Sequence, residues 1–84
     1  MRFVTFSLKA PAAKSVRLAA SFNGFDPKAL GLTRGKGGLW STTVPLAPGS
    51  YQYVFDVDGT WTTDPAAPGT ARRGGKSVSV RSVR

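Results

Sequence analysis

The chain has 84 residues, 40% of them apolar and 11% aromatic, which is enough for a single folded domain spanning residues 1–84. A domain of this size buries only about 60% of its unfolded surface, so it has one thin core and no room for a deep catalytic cleft. Cysteine is absent, which excludes disulfides and thiolate metal sites. Lys and Arg number 12 against 4 acidic residues, and the net charge of +8 favours polyanions.

The amino-terminal apolar stretch, Phe3–Leu8, is shorter than a signal peptide requires. No apolar run is long enough to cross a membrane. We therefore expect a cytoplasmic protein without a membrane partner.

The first half of the chain alternates apolar and polar residues in short runs, the pattern of β-strands. Arg2–Leu8 is a predicted strand, Ala10–Ala13 interrupts it at Pro11, and residues 16–22 form a second strand. The next predicted elements are the loops Asn23–Pro27 and Gly31–Gly38, with an optional short strand at Leu30–Thr33 where the second loop begins.

The second half of the chain contains the clearest strands. In Leu39–Leu46, Trp40 shares a face with other apolar residues, so core packing is expected for its ring. Ala47-Pro48-Gly49 has the composition of a turn. Ser50–Val57 then places Tyr51, Tyr53, Phe55 and Val57 on one face.

The carboxyl-terminal third starts with a hairpin signal. Asp58-Gly59 favours a tight turn, and Thr60–Thr63 is the predicted return strand. Ala66–Gly75 is predicted as a long irregular connection and Ser77–Val83 as the last strand. Six to eight short strands, separated by regular turn signals, predict an all-β antiparallel sandwich.

Several catalytic and metal motifs can be excluded. Asp56 and Asp58 lack the later Gly and Glu of a calcium loop, and a glycosidase needs two carboxylates that flank a cleft. No His or Cys is present to activate a nucleophile. Gly75-Lys76-Ser77 resembles the end of a phosphate loop, but Thr70 stands where the first Gly belongs. We therefore expect no enzyme activity, no cofactor and no metal.

Trp61 is the best candidate for a binding residue. It follows a tight turn among threonines, where a large aromatic residue is poorly placed for a core. An indole ring offers a flat apolar face to the C–H groups of a sugar and an N–H donor at its edge. Phe25 lies in a loop, where binding and packing are equally plausible.

Three segments in order carry a family pattern: residues 16–25, residues 38–40 with 46–49, and residues 51–65, which read Tyr-Gln-Tyr-Val-Phe-Asp-Val-Asp-Gly-Thr-Trp-Thr-Thr-Asp-Pro. Together they resemble carbohydrate-binding module family 48. That family includes the glycogen-binding domain of AMP-activated protein kinase β subunits and the amino-terminal modules of isoamylases and glycogen branching enzymes. The resemblance implies an immunoglobulin-like sandwich that binds α-1,4-glucan.

The resemblance also implies roles for particular residues. Trp61 matches a binding tryptophan, and Phe25 stands where a second tryptophan is usual. Lys76 lies near a sugar-contacting asparagine of the family, and Val54 replaces a sugar-contacting lysine. The predicted carbohydrate-binding residues are Trp61, Phe25, Lys76, Thr63 and Asn23.

The expected ligand is an α-1,4-glucan polysaccharide such as glycogen or starch, or a maltooligosaccharide. A glucan-metabolising enzyme or another protein in trans is a further expected partner. One alternative is a basic β-module for nucleic acid, with Trp61, Phe25 and the cations after Asp64 as its surface. In another, the domain has lost sugar binding and serves a structural role. Arg72, Arg73 and Lys76 are interpreted as a solvated basic loop, with phosphate, glucan or protein contact as the alternatives.

Overall fold

The computed structural model describes residues 1–26, 30–67 and 69–84 of the chain. Its strands are β1 Arg2–Lys9, β2 Val16–Ala20, β3 Thr33–Arg34, β4 Leu39–Leu46, β5 Gly49–Val57, β6 Thr60–Thr62, β7 Gly69–Arg73 and β8 Lys76–Val83. Single 3-10 turns occupy Ser21–Asn23 and Lys36–Gly38. The described ranges contain no α-helix, and the predicted all-β class is confirmed.

The strands form two antiparallel sheets that pack as an immunoglobulin-like sandwich. The first sheet has the order β1-β4-β3 and the second the order β2-β5-β8-β7. Strand β5 is the centre of the second sheet. One of its edges pairs with β2, whereas the other pairs with β8 along residues 49–53 and with β6 along residues 55–57.

The core lies between the sheets and follows the predicted alternation. Phe6 of β1 meets the ring of Tyr53 of β5 edge to face, with centroids 4.9 Å apart. Phe55 is fully buried beside Tyr53, whereas Tyr51 and Val57 lie half-buried at the two ends of β5.

Trp40 is a core residue, as its strand phase predicts. It is 7% exposed, and its Nε1–H donates to the carbonyl of Ala10 at 3.0 Å. The adjoining loop is tight, because Gly38 has a φ of 75° and a Cβ there would stand 2.4 Å from Cα of Pro11. Glycine is therefore required at this crossing of the β1–β2 connection.

Two boundaries differ from the sequence prediction. The prediction of an irregular connection over Ala66–Gly75 is wrong for half of its length, because Gly69–Arg73 forms β7 and pairs with β8. The optional strand near Leu30–Thr33 is displaced to Thr33–Arg34, with an isolated bridge from Gly31 to Arg17. Pro27 and Pro68, which belong to predicted loops, lie outside the described residues.

Candidate binding surface

The outer face of the second sheet carries an apolar cluster separate from the main core. Ala19, Val54 and Val78 lie side by side on β2, β5 and β8, and each is 0% exposed. Apolar residues on an outer sheet face are shielded from solvent only where other side chains cover them. The cover consists of Phe25, Trp61 and Ala71. The rings of Phe25 and Trp61 lie 6.3 Å apart with a mutual inclination of 40°. We call this pair of rings the aromatic platform.

The β5–β6 hairpin places Trp61 on this face. Its two turn residues, Asp58 and Gly59, have φ values of 50° and 88°, the left-handed pair that a tight hairpin requires. The resulting register sets Trp61 opposite Asp56, so its indole lies on the same face as Val54. Trp61 is half-buried, which leaves part of the ring accessible.

Asp58 also fixes the hairpin to the body of the domain. Its carboxylate accepts hydrogen bonds from the backbone N–H groups of Ser15 at 2.8 Å and Lys14 at 3.0 Å. These hydrogen bonds, with that from Ser15 the stronger influence, lower the pKa of Asp58 below its ordinary value of 3.8. The turn that carries Trp61 is thus held to the β1–β2 connection.

Asn23 shapes the loop that presents Phe25. Its Oδ1 accepts from the N–H of Ala20 at 2.9 Å, and its Nδ2 donates to the carbonyl of Leu18 at 3.0 Å. The N–H of Phe25 then donates to the carbonyl of Ala20 at 2.8 Å. Asn23, predicted as a sugar contact, therefore has both polar atoms bonded to the end of β2.

Phe25 has a strained backbone. Its φ of 55° is left-handed, a conformation that costs a bulky residue about 1–2 kcal/mol. Strain of this kind is often found where a side chain must be aimed at a ligand. Here the left-handed backbone directs the Phe25 ring toward the ring of Trp61.

Two cations lie over the two rings. The Arg73 guanidinium carbon is 4.4 Å from the Phe25 centroid, and the Lys76 Nζ is 4.7 Å from the Trp61 centroid. The residues are directly opposite each other in the β7–β8 pairing, on either side of the Gly74-Gly75 turn. Lys76 is therefore brought to Trp61, as the predicted site requires. Arg73, interpreted from sequence as part of a solvated basic loop, lies instead on the aromatic platform.

Asp56 is a polar residue of this face that sequence analysis did not include in the site. Strand register sets it between Arg17 and Trp61. Its Oδ1 is buried and accepts no hydrogen bond within the described part of the chain. The alternation of β5 was a signal that Asp56 shares a face with Val54, but the partner strand was needed to place it beside Trp61.

The remaining predicted positions have different environments. Val54, at the position where the resemblance led us to expect a lysine, lies beneath the platform and offers no polar group. Thr63 directly follows β6 and is half-buried.

A cleft of about 540 Å³ lies elsewhere, at the gap between β1 and β8. Several of its polar groups already have protein partners. Tyr53 Oη donates to Asp64 at 2.6 Å, and Arg81 Nη1 donates to the carbonyl of Thr5 at 2.6 Å. Burial, together with the Asp64 carboxylate, raises the pKa of Tyr53. We therefore place the binding surface at the platform and assign a structural role to the groups of the cleft.

The described residues offer neither a cluster of metal ligands nor a membrane-spanning helix. No group of three or more His, Cys, Asp or Glu side chains there could hold a metal ion. Among the helical segments of the same ranges, none has the length and apolar character of a membrane span.

The fold and the platform together define a β-sandwich binding module with an aromatic surface on one sheet. A family profile described as the glycogen recognition site of AMP-activated protein kinase matches residues 4–84, and the chain belongs to this family. The family consists of glucan-binding modules without catalytic activity of their own.

Two curated relatives are consistent with this assignment. The chain is 35% identical over 57 residues to protein PTST homolog 2, chloroplastic, of Arabidopsis thaliana. It is 34% identical over 62 residues to the 1,4-alpha-glucan branching enzyme GlgB of Frankia casuarinae. These alignments cover 68% and 69% of the chain but only 10% and 8% of the relatives.

Proposed function

We propose that this domain binds α-1,4-glucan by stacking glucose rings on Trp61 and Phe25. The observation that carries the proposal is the aromatic platform itself, two rings 6.3 Å apart on an outward sheet face. Their inclination of 40° suits a ligand that bends between successive sugars. An α-1,4-linked chain curves in this way, whereas a β-1,4-linked chain is straight.

The cations must move before a sugar can stack. The inner side of each ring packs toward the apolar cluster, and the outer side carries Arg73 or Lys76. A cation–π contact at an exposed site is worth about 0.5–1 kcal/mol, so displacing both cations weakens binding without preventing it. We expect an affinity in the high micromolar to millimolar range, about −4 to −6 kcal/mol.

Polar groups at the rim of the platform would then orient the sugar. Asp56 has a carboxylate oxygen that no donor among the described residues reaches, and a sugar hydroxyl would satisfy it once Trp61 shifts. Thr63 and Lys76 adjoin Trp61 and offer a hydroxyl and an ammonium group. Asn23 supports the site by holding the Phe25 loop.

We further propose that the module brings a glucan-metabolising partner to its polymer. The relatives are much longer than this chain, and one of them is named as a glucan branching enzyme. The partner could be covalently linked or act in trans.

Co-sedimentation tests the proposed function. The domain is mixed with glycogen, and cellulose serves as the β-linked control. We expect pelleting with glycogen only, and with little change between low and physiological salt, because stacking and neutral hydrogen bonds release no counterions. Failure to pellet with glycogen at high polymer concentration would contradict the proposal.

Nucleic acid is the competing ligand, because cations and aromatic rings share one surface. Binding to phosphodiester chains should fall steeply with salt, with about 0.9 counterion released for each neutralised phosphate. Titration with single-stranded DNA over the same salt range discriminates the two ligands. Strong DNA binding without glycogen binding would favour the nucleic-acid alternative.

A further inference from the structure

The β7–β8 hairpin holds two like charges in register at the aromatic platform. Arg73 and Lys76 are directly opposite each other, an arrangement that normally destabilises a β-ladder. Their contacts within the described part of the chain are with the rings of Phe25 and Trp61, and neither forms an ion pair there. The surface therefore keeps two cations, without a direct ion pair in the described ranges, at the place where the sugar is expected to bind.

A neutral glucan gives no reason for this arrangement, because it must displace the cations to reach the rings. An anionic group on the glucan would change that balance. A guanidinium presents a planar fork of N–H donors that matches phosphate oxygens, and an ammonium adds a compact point charge. Both side chains are long and exposed, so they can leave the ring faces and remain beside the stacked sugar.

We propose that the platform selects phosphorylated α-glucan, with Arg73 and Lys76 as ligands of a phosphomonoester. The phosphate would lie on a glucose unit next to those stacked on Trp61 and Phe25. This inference rests on the proposed function, since the rings supply the contact with the sugar chain. It adds a ligand class and gives the hairpin cations a direct role in binding.

The charges on the face favour a single phosphate over a continuous phosphodiester chain. The cations on the rings belong to one hairpin, whereas Asp56 adjoins Trp61 on the strand side of the platform. A polynucleotide that crosses both rings would bring phosphates toward the Asp56 carboxylate. A phosphomonoester at the hairpin end avoids that repulsion.

Arg72 of the same hairpin has another role. Its Nη2 donates to the carbonyl of Gly75 at 2.8 Å, which ties the guanidinium to the turn. We therefore assign the phosphate contact to Arg73 and Lys76 only.

The test compares phosphorylated maltodextrin with the same preparation after phosphatase treatment, by calorimetric titration at low and physiological salt. We expect about threefold to tenfold tighter binding of the phosphorylated form at low salt, as for two exposed charge pairs. The advantage should shrink at physiological salt. The Arg73→Gln/Lys76→Gln double variant should lose the difference and bind the phosphorylated and dephosphorylated dextrins with equal affinity.

The matched control removes the same charge from another part of the surface. Lys9→Gln/Lys36→Gln alters exposed lysines of the first sheet and an adjoining turn, and it should keep the preference for phosphate. Thermal melting checks that both double variants are folded.

Four outcomes would overturn the inference. Equal affinity of the wild type for both dextrins would do so while leaving the proposed function intact. Loss of the preference in the Lys9/Lys36 control would show a general charge effect. In a third outcome, the wild type binds single-stranded DNA more tightly than phosphorylated maltodextrin of equal charge. If the Arg73/Lys76 variant loses that advantage, the cations are assigned to nucleic acid. Binding of neither dextrin would contradict the proposed function itself.

Discussion

The two tryptophans of this chain have opposite environments. Trp40 lies between the sheets with its N–H bonded to Ala10, whereas Trp61 lies half-buried on the outer face of the second sheet. Strand phase predicted the first environment, because Trp40 alternates with apolar neighbours. The position of Trp61 beside a turn predicted the second.

Replacement of Trp40 should affect folding. Truncating a buried aromatic residue to alanine costs about 3–5 kcal/mol. The Ala10 carbonyl would also lose the hydrogen bond from Trp40 while keeping the one from the Ala13 N–H. We expect Trp40→Ala to reduce the free energy of unfolding by this amount, measured by urea denaturation. A change of about 0.5 kcal/mol or less, the scale of a typical surface substitution, would contradict the core assignment.

The ring of Phe25 belongs to the aromatic platform, whereas its backbone has an unfavourable left-handed conformation. Both Phe25→Ala and Phe25→Gly remove the ring and should weaken glucan binding to a similar degree. Only glycine relieves the left-handed strain, so the Gly variant should be more stable than the Ala variant by about 1 kcal/mol. Thermal melting and glucan titration of both variants separate the two effects. Equal stability of the pair would argue against a strained loop.

At the scale of elements, two hairpins build the surface. The β5–β6 hairpin supplies Trp61, and the β7–β8 hairpin supplies Arg73 and Lys76. Asp58-Gly59 was recognisable in the sequence because it is a strong two-residue turn signal. Gly74-Gly75 is also a turn signal, but the surrounding Gly, Pro and Arg residues concealed the short strand before it.

The β5–β6 turn should respond to pH. Since the pKa of Asp58 is lowered in the folded state, its contribution to stability is present above the ordinary value of 3.8. That contribution is lost as the pH falls below 3.8 through the folded-state pKa. Asn tolerates the same left-handed backbone, so Asp58→Asn tests the charge alone.

We expect Asp58→Asn to melt at a lower temperature than the wild type at neutral pH. The difference should diminish as the solution is acidified below the ordinary Asp pKa of 3.8. Melting curves over a pH series measure this convergence. A gap that stays constant into acid would show that the carboxylate charge is not responsible.

At the scale of the whole molecule, the sandwich exposes the outer face of the second sheet and covers part of it with aromatic rings. Alternation in β1, β4 and β5 was sufficient to predict the all-β class and most of the core. It could not predict that Ala19, Val54 and Val78 form a second apolar cluster, because each belongs to a different strand. Sheet order, which brings distant strands together, determines that cluster and the platform above it.

The net charge of +8 likewise predicts the kind of ligand but not the position of the binding surface. Composition suggested a polyanion, yet it could not show which cations would meet the aromatic rings. Cross-strand register supplied that information by placing Arg73 opposite Lys76. The positions of these cations, and not the total charge, therefore define the binding hypothesis.

The most direct test of the account is the affinity of Trp61 variants for a maltooligosaccharide. Trp61→Leu still covers Val54 but lacks a flat ring, and Trp61→Ala removes both features. Calorimetric titration of the folded variants should show a loss of about 2 kcal/mol or more in binding, as for an aromatic hot spot. Wild-type tryptophan fluorescence should also shift on addition of sugar. Unchanged affinity in a folded Trp61→Leu variant would contradict the assignment of the platform as the glucan-binding surface.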